Sequence, residues 1–190
     1  MTNPGEQRDG QLLYERQQAM RAAGQIAPGP AIIAAGLHNA ENIGGVLRLA
    51  DVAGCREAVF IGGSPLDQRR VHKASRSCEA LVRWRLATSA QFAAEAAAYR
   101  PLIAIEITSR SIDLFAYRLP PQCAFVIGGE RHGVPADLLA LCDQAVHIPM
   151  YGTNGSMNVS HALAIALFEW RRQWTDKEAR SRGEEENVSL

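Results

Sequence analysis

Several kinds of chemistry are missing from this chain of 190 residues. Lysine is scarce: Lys73 and Lys177 stand alone, and neither follows a glycine-rich loop, which argues against a phosphate-loop nucleotide enzyme. The dinucleotide fingerprint G-x-G-x-x-G is absent. Gly155-Ser156-Met157 lacks the outer glycines of a nucleophile elbow, so a serine hydrolase is not indicated. The four cysteines, Cys55, Cys78, Cys123 and Cys142, form no C-x-x-C pair and no zinc spacing. They lie in apolar settings, which predicts buried, inert thiols in a reducing cytoplasm rather than nucleophiles or disulfides. His132, His147 and His161 have no second ligand at helical spacing, so no metal site is expected. No apolar run is long enough to span a membrane, and no basic-then-apolar segment opens the chain. Twenty basic residues balance twenty acidic ones. Without a long-range positive field, any binding of nucleic acid must use a local patch.

What remains is an ordinary globular composition, 47% apolar and 21% charged, in a chain long enough for one domain with a sizeable core. Residues 1–10 read as disordered, and residues 11–23 as a short helix stopped by Gly24 and the P-G-P at 28–30. An alternation follows. Strands are predicted at 31–37, 58–63, 81–86, 101–108, 123–129 and 145–150, and helices at 42–53, 68–79, 89–99, 135–142 and 158–174. In 81–86 the period of two sets Arg83 and Arg85 on one face. The alternation implies an α/β fold, a mostly parallel sheet flanked by helices. The unit spans 30–174, with 1–29 as an N-terminal extension and 175–190 as a charged, disordered tail.

In such sheets ligands bind at the carboxyl ends of strands. Three strand ends run into glycine-rich or polar loops: 61–65 (IGGSP), 127–135 (IGGERHGVP) and 148–158 (IPMYGTNGSMN). Three constellations draw attention. In 37–54, Asn39 can cap the helix, and Gly44 and Gly45 sit in its first turn, where they cost helix stability and suit close approach of a backbone or ligand. Arg48 follows; a surface arginine with a snorkelling stem is an equally good reading of it. In 125–135, three glycines surround Glu130, Arg131 and His132, and a turn with solvated charges reads as well as a site. In 150–158, Ser156 or Asn158 can cap the last helix, yet a cap does not account for Gly152, Thr153, Asn154 and Gly155. That loop exposes many backbone donors and acceptors, suited to an adenine edge or a carboxylate.

Together the three resemble the signature motifs of the SpoU (TrmH-like) branch of the SPOUT RNA 2′-O-ribose methyltransferases, in order and spacing. The first, N-x-G-x-x-x-R, is matched by Asn42, Gly44 and Arg48. The second, G-x-E-x-x-G, is matched by Gly128, Glu130 and Gly133. The third is matched by Ile148, Pro149, Ser156, Met157, Asn158, Val159 and Ser160, with Met157 where leucine is usual. The resemblance covers about residues 30–174. It implies a SPOUT-type sheet with a C-terminal trefoil knot over roughly 123–174 and S-adenosylmethionine held against the second and third motif loops. Ile148 and Met157 would then contact adenine, Gly128 would admit the methionine moiety, and Glu106 would close the pocket. It also implies a homodimer with the last helix at the interface; the apolar face Val159, Leu163, Ala166, Leu167, Trp170 and Trp174 is compatible with this, and equally with a core face.

The implied reaction moves the sulfonium methyl to a ribose 2′-oxygen. Arg48, Asn42, Glu130, Ser156 and Asn158 are the residues expected to carry it. Arg48 is expected to clamp a neighbouring phosphate, because a guanidinium with a pKa above about 12 is a poor base. Asn42 would position Arg48 or the ribose, Glu130 would orient its loop or pair with Arg48, and Ser156 and Asn158 would bond first-motif groups. Arg69, Arg70, Lys73 and Arg76 cluster after the second strand, with Arg83 and Arg85 beyond, and are expected to hold RNA rather than form a merely solvated face. The short helix before the sheet and the run FEWRRQW favour tRNA over ribosomal RNA by analogy. A regulator that keeps the fold but not the catalysis is the alternative.

Overall fold

The protein is described here by a computed structural model, which covers residues 10–62 and 68–186. Most of the loop at 61–65 and the first nine residues lie outside the described residues. Strands β1 (Ala31–Ala35), β2 (Ala58–Ile61), β3 (Trp84–Ala87), β4 (Leu102–Ile105), β5 (Ile112–Asp113), β6 (Ala124–Ile127) and β7 (Gln144–His147) form one sheet in the order β3-β2-β1-β6-β4-β7-β5. Every pairing in it is parallel. The helices are α1 (Gly10–Ala22), α2 (Ala40–Val52), α3 (Gln68–Ser75), α4 (Ser89–Glu95), α5 (Ala136–Leu139) and α6 (Val159–Glu186). Among the described residues no helix is long and apolar enough to cross a membrane.

The expected parallel sheet is present, and its central strands are buried on both faces, as helices on both sides require. Alternate residues divide between two cores. Ile32, Ala34, Phe60, Phe125 and Ile127 meet α2 and α6, whereas Ile33, Val59, Ala104 and Val126 meet α4 and the segment around Leu138. The differences from the sequence reading are local. A 3-10 turn at Cys78–Ala80 delays β3 to Trp84. The two-residue β5 gives too short a pattern to read. α6 continues through Glu186, past Trp174 where a disordered tail was expected; twelve further residues rich in Glu, Lys, Arg and Ala keep helical propensity without an apolar face.

Arg85 corrects an expectation. Arg85 binds Glu95 and donates to the Tyr99 hydroxyl at 3.1 Å, while Arg83 lies 3.4 Å from Glu57 before the amino end of β2. Arg85 braces the sheet edge against α4 and the turn after it and is committed within the fold, whereas the Arg83 side chain stays open to solvent. The α6 face Leu163, Ala166, Leu167 and Trp170 is likewise core within one chain, and Phe168, 49% exposed, faces outward.

Thr88 and Gln91 form a capping box at α4, and Asn39 accepts from the Glu41 N–H at 2.8 Å to cap α2. Gly44 explains how α2 and α3 meet. A Cβ there would stand 2.4 Å from the Ala74 Cβ and 2.7 Å from the Ser75 nitrogen. Val71 and Ser75 are buried against α2, so Arg69, Arg70, Lys73 and Arg76 turn to the exposed side. The corner after α3 holds Arg76 and Ser77 in the left-handed region. Hydrogen bonds from Ser75, and then from His72, hold the Glu79 carboxyl below its usual range against partial burial. A depressed carboxyl steadies that corner at neutral pH and loses its contribution as acid protonates it.

Two measurements test this packing. Gly44→Ala should destabilise the protein by about 1–3 kcal/mol through overpacking, although helix propensity alone favours alanine by about 1 kcal/mol. Gly152→Ala, where nothing lies within 4 Å, should be neutral in the same thermal denaturation. All four cysteines are free thiols, and burial pushes Cys55, Cys123 and Cys142 up to about 12. With so little thiolate, these three should resist iodoacetamide at pH 8 in the folded chain and react once it is denatured, as read by mass spectrometry.

Candidate active site

A cavity of about 700 Å³ opens at the carboxyl ends of β4, β6 and β7. The strand ends supply Ile105, Glu106, Gly128, His147 and Ile148, and the loop between β7 and α6 supplies Met150 and Asn154 to Asn158. All four residues expected to meet a cofactor, Glu106, Gly128, Ile148 and Met157, line it, as do Glu130, Ser156 and Asn158.

The walls have distinct causes. β6 ends in a loop that folds back on itself: Gly129 and Gly133 exchange backbone hydrogen bonds at 3.2 and 3.0 Å. A Cβ on Gly128 would fall 1.8 Å from the Gly133 carbonyl carbon. The glycine is therefore required by the loop's own closure, before any ligand is considered. Glu106 has a role the sequence did not show. Its Oε2 accepts from the Val134 N–H at 2.9 Å and its Oε1 from the Ile107 N–H at 3.0 Å, so it latches the second-motif loop to the end of β4. Gly133, at φ +64°, leaves room for that carboxylate, because a Cβ would stand 2.3 Å from Oε2. Gly152 and Gly155 meet nothing within 4 Å, so their loop is open rather than crowded.

The three motif segments are joined by one hydrogen-bonded chain. Asn42, 5% exposed, donates its amide to Glu130 Oε1. Its Oδ1 accepts from Asn158 Nδ2 at 2.9 Å. Asn158 Oδ1 in turn accepts from the Ser160 N–H at 2.9 Å and from Ser160 Oγ at 2.6 Å, capping α6. Gly45 lets this end of α6 approach α2, with its Cβ position 3.3 Å from the Ser160 Cβ.

Other expected contacts are not made. Glu130 pairs with Asn42, not with Arg48. Ser156 bonds Asn154, with its N–H donating to Oδ1 at 3.3 Å, and does not reach a first-motif group. Arg48 lies outside the cavity lining, exposed on α2, close enough to the turn after α3 for its charge to act on Cys78. It is one helical turn from Gly44, where α2 packs on the end of α3. Arg69, Arg70, Lys73 and Arg76 are all exposed there, with Arg70 in a 3.4 Å pair with Glu41. Sequence reasoning passed over His147 and His161 as cavity residues. Their only signal was position, at the end of a strand and one residue after the third motif. Among the described residues no group of three potential metal ligands occurs.

The comparisons with known proteins agree with this geometry. The SpoU rRNA Methylase family matches residues 30–168. The chain belongs to that family. A tRNA (guanosine(18)-2′-O)-methyltransferase of Thermus thermophilus is 30% identical over 149 residues, 77% of this chain and 76% of the relative. A mouse protein of the same description is 30% identical over 171 residues, 87% of this chain but 11% of the much longer relative. A solved RNA 2′-O ribose methyltransferase superposes with a TM-score of 0.69 at 30% identity, over 78% of this chain and 58% of that one. For the SpoU chain described here, Asn42→Ala should leave Glu130 and Asn158 without a shared partner. A loss of about 1–3 kcal/mol is expected, read by calorimetry, together with weaker binding of S-adenosylhomocysteine to the loosened cavity.

Proposed function

We propose that this SpoU protein transfers the methyl of S-adenosylmethionine to a ribose 2′-hydroxyl of RNA, with tRNA favoured over ribosomal RNA. The observation that carries the reading is the chain Glu130–Asn42–Asn158–Ser160, which ties all three motif segments to one cavity. The cavity suits the cofactor in size and chemistry: about 700 Å³ falls within the range of small-molecule sites. Ile105, Ile148, Met157 and Val159 offer an apolar surface for adenine, and the loop backbone at 154–157 offers edge donors and acceptors. The bound cofactor supplies a methyl already activated by a cationic sulfur.

The chain's residues would do the rest. Ile148 and Met157 hold the adenine, and Glu106 acts by keeping the 128–134 loop shut against β4. Asn158 and Glu130, fixed through buried Asn42, present polar atoms at the mouth. Arg48, outside the lining, suits a phosphate beside the target nucleotide better than the transferred proton, and the exposed row Arg69, Arg70, Lys73 and Arg76 continues that basic surface along the RNA. We read the working form as a homodimer that uses the outward stripe of α6 with Phe168, and the C-terminal segment as the trefoil knot of its family. The free thiols favour the cytoplasm.

The test is methyl transfer from labelled S-adenosylmethionine into separated tRNA and ribosomal RNA, with digestion to nucleosides. Label is expected as 2′-O-methyl nucleoside from tRNA. Arg48→Ala should lower the rate about 100-fold or more, and Arg48→Lys should restore only part, because ammonium does not clamp phosphate bidentately. Methyl on a base would overturn the reading, and so would full activity of Arg48→Lys for the clamp.

A further inference from the structure

We infer that His161 is the base that receives the ribose hydroxyl proton. The inference rests on the methyltransferase reading above and adds a residue that none of the three motifs contains.

Methyl transfer to a hydroxyl oxygen needs a place for a proton, and Arg48 is a cation outside the cavity. Four titratable side chains line the cavity: Glu106, Glu130, His147 and His161. Three are already engaged. Glu106 accepts a backbone N–H on each oxygen, Glu130 accepts from Asn42, and the His147 Nδ1 lies 3.0 Å from Ser111 Oγ on the half-buried end of β7. Among the described residues His161 has neither hydrogen bond nor ion pair, and its ring is exposed. It sits in the first turn of α6, three residues beyond Asn158, so both side chains lie on the same side of the helix. Asn158 is rigidly placed by its bonds to Asn42 and Ser160, which fixes the backbone that carries the imidazole. A ring nitrogen without a hydrogen bond is also freer to take a proton than a carboxylate oxygen that already accepts one.

The step balances simply. The ribose oxygen forms a bond to the methyl carbon as the carbon–sulfur bond breaks and its electron pair returns to sulfur, leaving a neutral thioether. The hydroxyl proton passes to a ring nitrogen of His161, which gives it to water before the next turnover. The other titratable side chains that line the same cavity are Glu106, Glu130 and His147. Arg172 lies three turns farther along α6 and is held by Glu169.

The experiment compares wild type, His161→Gln and His161→Ala. Single-turnover methyl transfer by His161→Gln should fall about 100-fold or more, with binding of S-adenosylhomocysteine and of RNA unchanged by calorimetry. Added imidazole should partly restore His161→Ala. In the cofactor-free protein, the His161 ring resonance should shift on adding an RNA with a free 2′-hydroxyl at the target and not with one already methylated there. An active wild type with an equally active His161→Gln would overturn the inference while leaving the methyltransferase reading intact. An inactive wild type would overturn both.

Discussion

The amide of Asn42 is the point on which the site depends. It is buried in the first turn of α2, donates to Glu130 from the β6 loop and accepts from Asn158 at the start of α6. A buried amide with both ends satisfied is stable, and one stripped of a partner carries an unpaid desolvation cost. Three segments far apart in sequence are therefore held in register by one side chain. Two of those segments, the β6 loop and the start of α6, line the cavity together with the ends of β4 and β7, and Asn42 holds the two in register from behind.

Glycines set the spacing around this bond, and each does so against protein rather than ligand. Gly44 seats α3 on α2, Gly45 admits the first turn of α6, and Gly128 and Gly133 let a loop fold back under the latch of Glu106. The basic row on α3 faces outward because Val71, Ala74 and Ser75 are drawn in. An exposed basic surface and a packed core are thus two faces of one eight-residue helix and the corner after it.

Much of the fold was legible from period and punctuation. Apolar strands, helical spacing after Asn42 and the capping residue Asn39 all appear where their chemistry places them. The cavity-lining residues were legible as well, because motif residues at strand ends converge in a parallel sheet. Partners were not legible. Glu130 and Asn42 are separated by 88 residues, and nothing local told that Glu130 would take an amide rather than a guanidinium. Arg85 read as an outward strand residue because its partners, Glu95 and Tyr99, come from elements whose docking angle the sequence does not carry. β5, two residues long, has no period at all.

The bond between Asn158 and Asn42 spans 116 residues, and that between Arg171 and the Ala53 carbonyl spans 118. Trp170 and Trp174 reach back to the carbonyls of Pro120 and Leu119, and Gln173 binds the Leu119 N–H across 54 residues. At ordinary rates of synthesis, about 5–20 residues per second, several seconds separate the two asparagines as they leave the ribosome. During that interval the sheet's first strands exist without the helix that covers them. Local contacts cannot shorten the delay, since the closing pairs are long-range. The nascent protein must carry an uncovered apolar surface until α6 emerges, and the cavity can form only once residues 154–158 have joined strands made long before them.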